Sequence, residues 1–179
     1  MKGDRDIMAE IKEKTPFTAA IITLSDKGSR GEREDTGGDL VEKMLREQGY
    51  EIVERFLLPD GIEPLASELC RLADEVGVNL VLTTGGTGFS ERDLTPEGTI
   101  KACDRMAPGI AEAMRYYSLS ITPRGMLSRQ ASGIRKKTLI INLPGSPKAI
   151  KENLEYILPS LDHGLGILIG TDGECGSPA

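Results

Sequence analysis

The sequence predicts an α/β fold, in which helices alternate with the strands of a mostly parallel sheet that has an antiparallel edge strand. Two observations predict this α/β fold class. Apolar, β-branched segments such as FTAAIITLSD (17–26) and NLVLTT (79–84) alternate with helix-like segments, a pattern typical of parallel βαβ units. Farther along, SGIRKKTLIINLPG (132–145) has two strand-like segments around a short basic turn, which predicts an antiparallel pair.

The first half of the chain is predicted to contain, in order, a strand, a helix, a strand, a helix and a strand. After the strand in 17–26, the polar loop KGSRGERED (27–35) leads into a helix that Asp35 or Thr36 caps and Gly49 ends. The segment YEIVERFLLPD (50–60) predicts the second strand. Leucines on one face of residues 64–75 predict the next helix, and 79–84 is the third strand.

The second half predicts three further helices and the antiparallel pair. Residues 96–105 and 108–118 form two short helices, the first with Thr95 as N-cap and Pro96 as first helical residue. The strongly apolar strand covers 138–142. The segment SPKAIKENLEYILPSL (146–161) starts a helix at a capping serine followed by proline. We expect an N-terminal extension over residues 1–16, one domain over 17–169 and a disordered tail over 170–179.

Composition excludes several classes of function. The net charge of -6 argues against a general nucleic-acid binder, which usually has a basic face. No apolar segment reaches the ~18 residues that a membrane span requires, and the charged start MKGDRDIMAEIKEK lacks the apolar core of a signal peptide. We therefore expect a cytoplasmic protein. Three scattered cysteines and one histidine offer neither a disulfide framework nor a zinc site.

Polar or glycine-rich residues follow the predicted strands. Because ligands bind beyond the carboxyl ends of the strands in open α/β sheets, we expect these residues to share one pocket. In chain order they are Ser25 and Asp26; Asp60; Thr84, Gly85, Gly86, Thr87 and Gly88; and, after the last strand, Gly145, Ser146, Pro147 and Lys148.

The glycine loop and two aspartates each have a plain and a functional interpretation. GGTG (85–88) is either a tight turn or a phosphate cradle of backbone N–H groups, and it matches neither the Walker A nor the GxGxxG pattern. Asp60 is either a turn residue or a Mg²⁺ ligand, and Asp93 is either a surface charge or the second ligand. Taken together with the glycine loop, the pair favours a metal-phosphate site.

Four segments together resemble a known family. TLSD, TTGGTGFSERDLTPEGT, PGIAEAMR and LSRQASGIRKKTLIINLPGSPK are similar, in order and spacing, to the MogA/MoaB family of molybdenum-cofactor biosynthesis proteins. Related domains occur in gephyrin and in a plant protein of the same pathway. The resemblance runs from about residue 17 to about residue 161, and its most specific parts are TTGGTG…RD.TPE and LPG.PK.

The resemblance implies a molybdopterin adenylyltransferase. The terminal phosphate of molybdopterin would attack the α-phosphate of ATP, pyrophosphate would leave, and a MoeA-type protein would take the product for molybdate insertion. The resemblance also implies a three-layer α/β/α sandwich that assembles as a homotrimer, or as a hexamer in the MoaB branch. The Mg²⁺ site inferred from Asp60 and Asp93 fits this reaction, so we expect Mg²⁺ as cofactor. Alternatively, the chain is a non-catalytic MoaB-type carrier or scaffold that binds molybdopterin, because some members of that branch lack activity.

The resemblance also assigns roles to residues. Asp60 and Asp93 would be the catalytic and metal-binding aspartates. The substrate- and phosphate-binding set would comprise the following residues: Ser25, Asp26, Thr84, Gly85, Gly86, Thr87, Gly88, Glu112, Ser128, Gly145, Ser146, Pro147 and Lys148. Arg115, Ser118 and Arg129 lie in matching segments and are further pocket candidates.

Overall fold

The computed structural model describes residues 16–171. The predicted extension before residue 16 and the predicted tail after residue 171 lie outside the described residues. Within 16–171, no helix combines the length and the apolar character that crossing a membrane requires.

Six strands form one sheet in the order β2-β1-β3-β6-β5-β4. β1, β2, β3 and β6 are parallel, and β5 pairs antiparallel with both β6 and β4. The predicted mixed sheet is therefore confirmed. The strands are β1 (Thr18–Leu24), β2 (Glu51–Leu58), β3 (Leu80–Thr84), β4 (Arg105–Met106), β5 (Ser132–Arg135) and β6 (Thr138–Leu143).

Helices cover both faces of the sheet. They are α1 (Asp26–Ser29), α2 (Thr36–Glu47), α3 (Ile62–Arg71), α4 (Thr95–Ala102), α5 (Pro108–Ile121) and α6 (Pro147–Ile169). One core cluster joins α2, α5 and α6 to one face through residues such as Ile21, and the other includes residues of α3 and α4 and the opposite-facing Ile22. This alternation buries the central strands on both faces, which explains their continuous apolar sequences.

The structure corrects several predicted details. Thr95 is the first residue of α4 rather than its N-cap, which is Leu94. The Thr95 hydroxyl donates instead to the carbonyl oxygen of Gly85 at 2.9 Å, so it closes the glycine loop. The predicted loop 27–35 begins inside α1, whose N-cap Ser25 accepts a hydrogen bond from the N–H of Gly28 at 3.0 Å.

Other elements extend beyond their predicted bounds. The helix predicted over 64–75 starts at Ile62 and ends in a π-helical turn, Leu72–Val76. A 3-10 turn, Pro123–Leu127, follows α5. α6 continues past the exposed Pro159 to Ile169. The predicted cap Asp35 of α2 and the Ser146-Pro147 start of α6 are confirmed, since both capping side chains accept from the first turn of their helix.

Candidate active site

A cavity of about 820 Å³ opens at the carboxyl edge of the parallel strands. The segments that follow β1, β2, β3 and β6 all contribute to its wall, as expected for this class of sheet. Nine of the residues predicted for the site line it: Ser25, Asp60, Thr84, Gly85, Gly86, Asp93, Gly145, Ser146 and Pro147.

Glycines after β3 make one wall out of bare backbone. Gly85 and Gly86 have φ angles of 93° and 64°, a region that side chains rarely adopt. A Cβ atom on Gly85 would lie 2.4 Å from the carbonyl oxygen of Leu24 at the end of β1. A Cβ on Gly145 would lie 3.4 Å from the Cα of Gly85. The ends of β1 and β3 therefore approach one another more closely than a side chain at Gly85 permits, and the loop after β6 lies in van der Waals contact with them.

Two long helices begin at the cavity. Thr36 and Gly37, at the start of α2, line it, as do Ser146 and Pro147 at the start of α6. A helix N-terminus carries partial positive charge and N–H groups without intrahelical partners, both of which favour anions. The cavity is thus suited to phosphate groups on two sides.

Asp26 and Asp60 link the ends of β1 and β2. The N–H of Asp26 donates to Oδ2 of Asp60, and the N–H of Asp60 donates to Oδ1 of Asp26, both at 3.1 Å. Arg92 covers this pair: its Nε and Nη2 donate to the two carboxylate oxygens of Asp26 at 3.0 and 2.9 Å. Nη2 of Arg92 also donates to the carbonyl oxygen of Asp60 at 2.9 Å. The hydrogen bond from Arg92 lowers the pKa of Asp26.

The carboxyl group of Asp60 has a different environment. Burial is the main cause that raises its pKa, and repulsion by Asp26 and Asp93 adds to the effect, while the Asp26 N–H and Arg92 oppose it. Within residues 16–171, no donor bonds its Oδ1, so one oxygen stays available on the cavity side. A half-buried carboxylate near a second one binds a cation readily, because the cation relieves both the burial cost and the repulsion.

Asp93 lies at the end of the loop between β3 and α4. Its Oδ2 accepts a hydrogen bond from the N–H of Ser90 at 2.9 Å, and the side chain lines the cavity. Arg129 also holds this loop, because its side chain donates to the carbonyl oxygens of Gly88 and Asp93.

Sequence reasoning missed one wall of the cavity, which comprises Arg33, Glu34, Asp35, Thr36 and Gly37. Asp35 organises it: its carboxylate accepts from Thr23 Oγ1 at 2.9 Å, from the Gly38 N–H at 2.9 Å and from Arg55 Nη2 at 2.6 Å. The signal was present as DTGG (35–38), a capping residue followed by two glycines. Because the pattern also fits an ordinary helix start, its role in the cavity was not evident.

The remaining predicted residues do not line the cavity. Asp26, Thr87 and Gly88 lie in the segments that border it, and Lys148 is exposed in the first turn of α6 beside Glu152. Ser128 and Arg115 both donate to Gln130, which lies between α5 and β5: Ser128 to the side-chain oxygen and Arg115 to the carbonyl oxygen. Ser118 bonds Asn153 of α6, and Glu112 is exposed on α5.

No group of three or more histidine, cysteine or acidic side chains within 16–171 is arranged to hold a metal ion. Asp60 and Asp93 both line the cavity and could supply carboxylate oxygens to a cation there. Mg²⁺ is commonly held in this way, by one or two carboxylates together with substrate phosphates and water.

Comparisons with known proteins agree with this geometry. The family described as "Probable molybdopterin binding domain" matches residues 20–163. A molybdopterin adenylyltransferase of Helicobacter pylori is 41% identical over 152 residues, which cover 84% of this chain and 86% of that protein. A molybdopterin adenylyltransferase of Escherichia coli K12 is 45% identical over 140 residues, covering 76% of this chain and 71% of that protein.

A solved structure has the same fold. The molybdopterin biosynthesis enzyme MoaB from Thermus thermophilus superposes with a TM-score of 0.82 at 45% identity, covering 86% of this chain and 97% of that one. The residues that match the family, 20–163, include the carboxyl end of every strand that contributes to the cavity. The chain therefore belongs to the MogA/MoaB family of molybdenum-cofactor biosynthesis proteins.

Proposed function

We propose that this protein is a molybdopterin adenylyltransferase, the activity for which its bacterial relatives are named. The observation that carries the proposal is the meeting of Asp60 and Asp93 with the Gly85-Gly86 backbone in one cavity at the start of two helices. Acidic groups for a cation and N–H groups for phosphates are what a phosphoryl-type transfer requires.

In this reaction an oxygen of the molybdopterin phosphate forms a bond to the α-phosphorus of ATP. The bond from that phosphorus to the bridging oxygen of the β-phosphate breaks, and pyrophosphate leaves with the electron pair. The protein contributes by binding: the N-termini of α2 and α6 and the bare backbone at Gly85 and Gly86 hold phosphate oxygens. No nucleophilic side chain takes part, because the attacking atom belongs to the substrate.

Asp60 and Asp93 are the proposed Mg²⁺ ligands. Oδ1 of Asp60 accepts no hydrogen bond within residues 16–171, and the pKa of the Asp60 carboxyl group is raised. Both properties are expected of a carboxylate that binds a cation. When bound, Mg²⁺ neutralises the negative charge that develops on the phosphates during transfer. Because the two side chains offer few ligands, the phosphates of ATP would have to supply others, and we expect the metal to bind together with nucleotide.

We further propose a homotrimer in the cytoplasm that passes its product to a MoeA-type protein. The surface of α5 and the turn after it supports self-association, because large apolar side chains are exposed together there: Tyr116, Leu119, Ile121, Met126 and Leu127. Light scattering tests this point, since a monomeric mass at micromolar concentration would contradict it.

Titration calorimetry distinguishes the enzyme from a carrier. For the enzyme we expect ATP to bind in the presence of Mg²⁺ and to bind much more weakly with EDTA, and we expect Asp60→Asn to remove this metal dependence. Arg135→Ala is the control, because Arg135 pairs with Asp74 and lies outside the cavity. Molybdopterin binding without any ATP binding would contradict the proposal and favour a carrier.

A further inference from the structure

The loop that carries Asp93 is held by a residue from a distant part of the chain. Arg129 follows the turn after α5, and its guanidinium reaches both ends of the loop 88–93: Nε donates to the carbonyl oxygen of Gly88 at 2.8 Å and Nη2 donates to that of Asp93. The backbone N–H of Arg129 adds a third bond, to the carbonyl oxygen of Thr87 at 2.9 Å. One residue thus fixes the loop where it leaves β3 and where it enters α4.

Glu97 keeps the guanidinium in this position. It lies in the first turn of α4, pairs with Nη1 of Arg129 and accepts from Nη2 at 3.4 Å. The hydrogen bond from Arg129 lowers the pKa of Glu97, so the carboxylate is in the charged form that pairs with the guanidinium. A planar guanidinium has five N–H donors in a fixed fork, so it can serve two carbonyl oxygens and a carboxylate at once, whereas an ammonium group cannot serve them with the same geometry.

Within the part of the chain that the structure describes, the loop 88–93 has few other contacts that would fix its position, which makes the hydrogen bonds from Arg129 important. The apolar tip residue Phe89 is 70% exposed and contributes no anchor to the core. Arg92 ties the loop to Asp26 and Asp60 on the cavity side through a side chain that is 58% exposed. Arg129, at 35%, is the better buried of the two arginines, and it contacts the backbone of Asp93 directly.

We propose that Arg129 is a positioning residue for the reaction: it fixes the backbone of the 88–93 loop and thereby places the Asp93 carboxylate in the cavity. It lies outside the set that lines the cavity, so it acts through Asp93 rather than on the substrate. The proposal rests on the proposed function, because it assigns Asp93 a role in the transfer step.

Arg135 provides a matched control. It also joins a carboxylate, Asp74, and a helix-end carbonyl oxygen, that of Ala102 at 2.9 Å. Its side chain is 23% exposed, against 35% for Arg129. Its partners lie in the π-helical turn after α3 and at the last residue of α4, outside the loop 88–93. Replacing Arg135 therefore removes a comparable ion pair without touching the loop.

The test compares Arg129→Ala, Arg129→Lys and Arg135→Ala for turnover. If Arg129 positions Asp93, both Arg129 variants lose about 10- to 100-fold in kcat while KM for molybdopterin changes little, the range typical of groups that orient metal ligands. Added guanidinium restores part of kcat in Arg129→Ala, and Arg135→Ala keeps the native kcat. A rise in KM with kcat unchanged would mean that Arg129 binds substrate, and it would overturn the proposal. Arg129→Lys keeps the charge and covers the case in which the alanine variant does not fold.

A second readout does not depend on activity. The chain contains no tryptophan, so Phe89→Trp places a single fluorescent reporter at the exposed tip of the loop. In this background we expect Arg129→Ala to lower the fluorescence anisotropy, and Arg135→Ala to leave it unchanged. Equal anisotropy in all three proteins would overturn the proposal. Absence of turnover in the native protein would contradict the adenylyltransferase function instead, and the anisotropy would still decide whether Arg129 orders the loop.

Discussion

Asp26 and Asp60 exchange two hydrogen bonds, each from the backbone N–H of one to the carboxylate of the other at 3.1 Å. The exchange joins the ends of two neighbouring strands and keeps two negative charges close together at the cavity. Only Asp26 is neutralised by a bidentate arginine, Arg92. Asp60 is therefore the carboxylate of this pair that no arginine side chain of residues 16–171 neutralises through hydrogen bonds to its oxygens, which is the property expected of a cation ligand.

Asp60→Asn should stabilise the protein while it removes activity. The pKa of Asp60 is raised in the folded state, so folding favours its protonated form, and its ionisation costs stability as the pH rises through that pKa. Asparagine removes this cost and still accepts the hydrogen bond from the Asp26 N–H. We expect the urea midpoint at pH 7 to rise or hold, and turnover to fall about 100-fold or more. A clear loss of stability would contradict the assignment.

The acid side of the pH–activity profile should also report Asp60. Because a protonated carboxyl cannot bind Mg²⁺, kcat/KM at subsaturating Mg²⁺ should fall as the pH is lowered, with a midpoint above the ordinary aspartate pKa of 3.8. Asp26→Asn removes one repulsive charge beside Asp60, which lowers the pKa of Asp60. The acid limb should therefore move to lower pH in this variant. A shift to higher pH would show that another group governs the limb.

Asp35 should be far more important for stability than Asp39, although both contact Arg55. The Asp35 side chain is 12% exposed and caps α2, whereas Asp39 is 68% exposed. Asp35→Ala removes the cap, the acceptor of the Thr23 hydroxyl and the least exposed of the three acidic partners of Arg55, which we expect to cost about 2–4 kcal/mol. Asp39→Ala should cost less than about 1 kcal/mol. Urea unfolding of the two variants measures the difference, and equal values would contradict the role of Asp35 in building the cavity wall.

Gly85→Ala should separate steric contact from backbone strain when it is compared with Gly31→Ala. Both glycines have positive φ angles, 93° and 73°, but an added Cβ meets the Leu24 carbonyl oxygen only at Gly85 and has open space at Gly31. We expect Gly31→Ala to cost about 1 kcal/mol from strain alone, and Gly85→Ala about 1–3 kcal/mol more. Thermal unfolding would test the order, and similar losses would argue against close approach of the two strand ends.

The sequence was sufficient for the parallel strands, for the β5–β6 pair and for the edge that carries the cavity. β1, β3 and β6 are buried on both faces, so each is a continuous apolar segment that ends at polar or glycine residues. β4 has only two residues and exists because it pairs with β5, a long-range contact that leaves no local pattern. The hydroxyl of Thr95 resembles a helix cap in sequence, yet it bonds Gly85 because the folded loop brings that carbonyl oxygen within reach.

Residues of the site were predictable where a strand end determines their place. Asp60 and Gly86 follow strands directly and line the cavity. Ser128 and Glu112 came only from similarity to a family segment, and their place depends on how α5 packs, which has no sequence signal of its own. Gly37 lines the cavity because α2 docks over the sheet with its first turn at that edge, a tertiary relationship that the sequence pattern DTGG does not specify.

The central claim is that this cavity transfers adenylate, and pyrophosphate release from ATP tests it most directly. The assay contains molybdopterin and Mg²⁺ and compares the native protein with Asp93→Asn, which keeps an acceptor for the Ser90 N–H but removes the charge. We predict release by the native protein that depends on molybdopterin, and a rate about 100-fold or more lower in the variant at an unchanged unfolding midpoint. No release by a native protein that still binds molybdopterin, or equal rates in both proteins, would contradict the account.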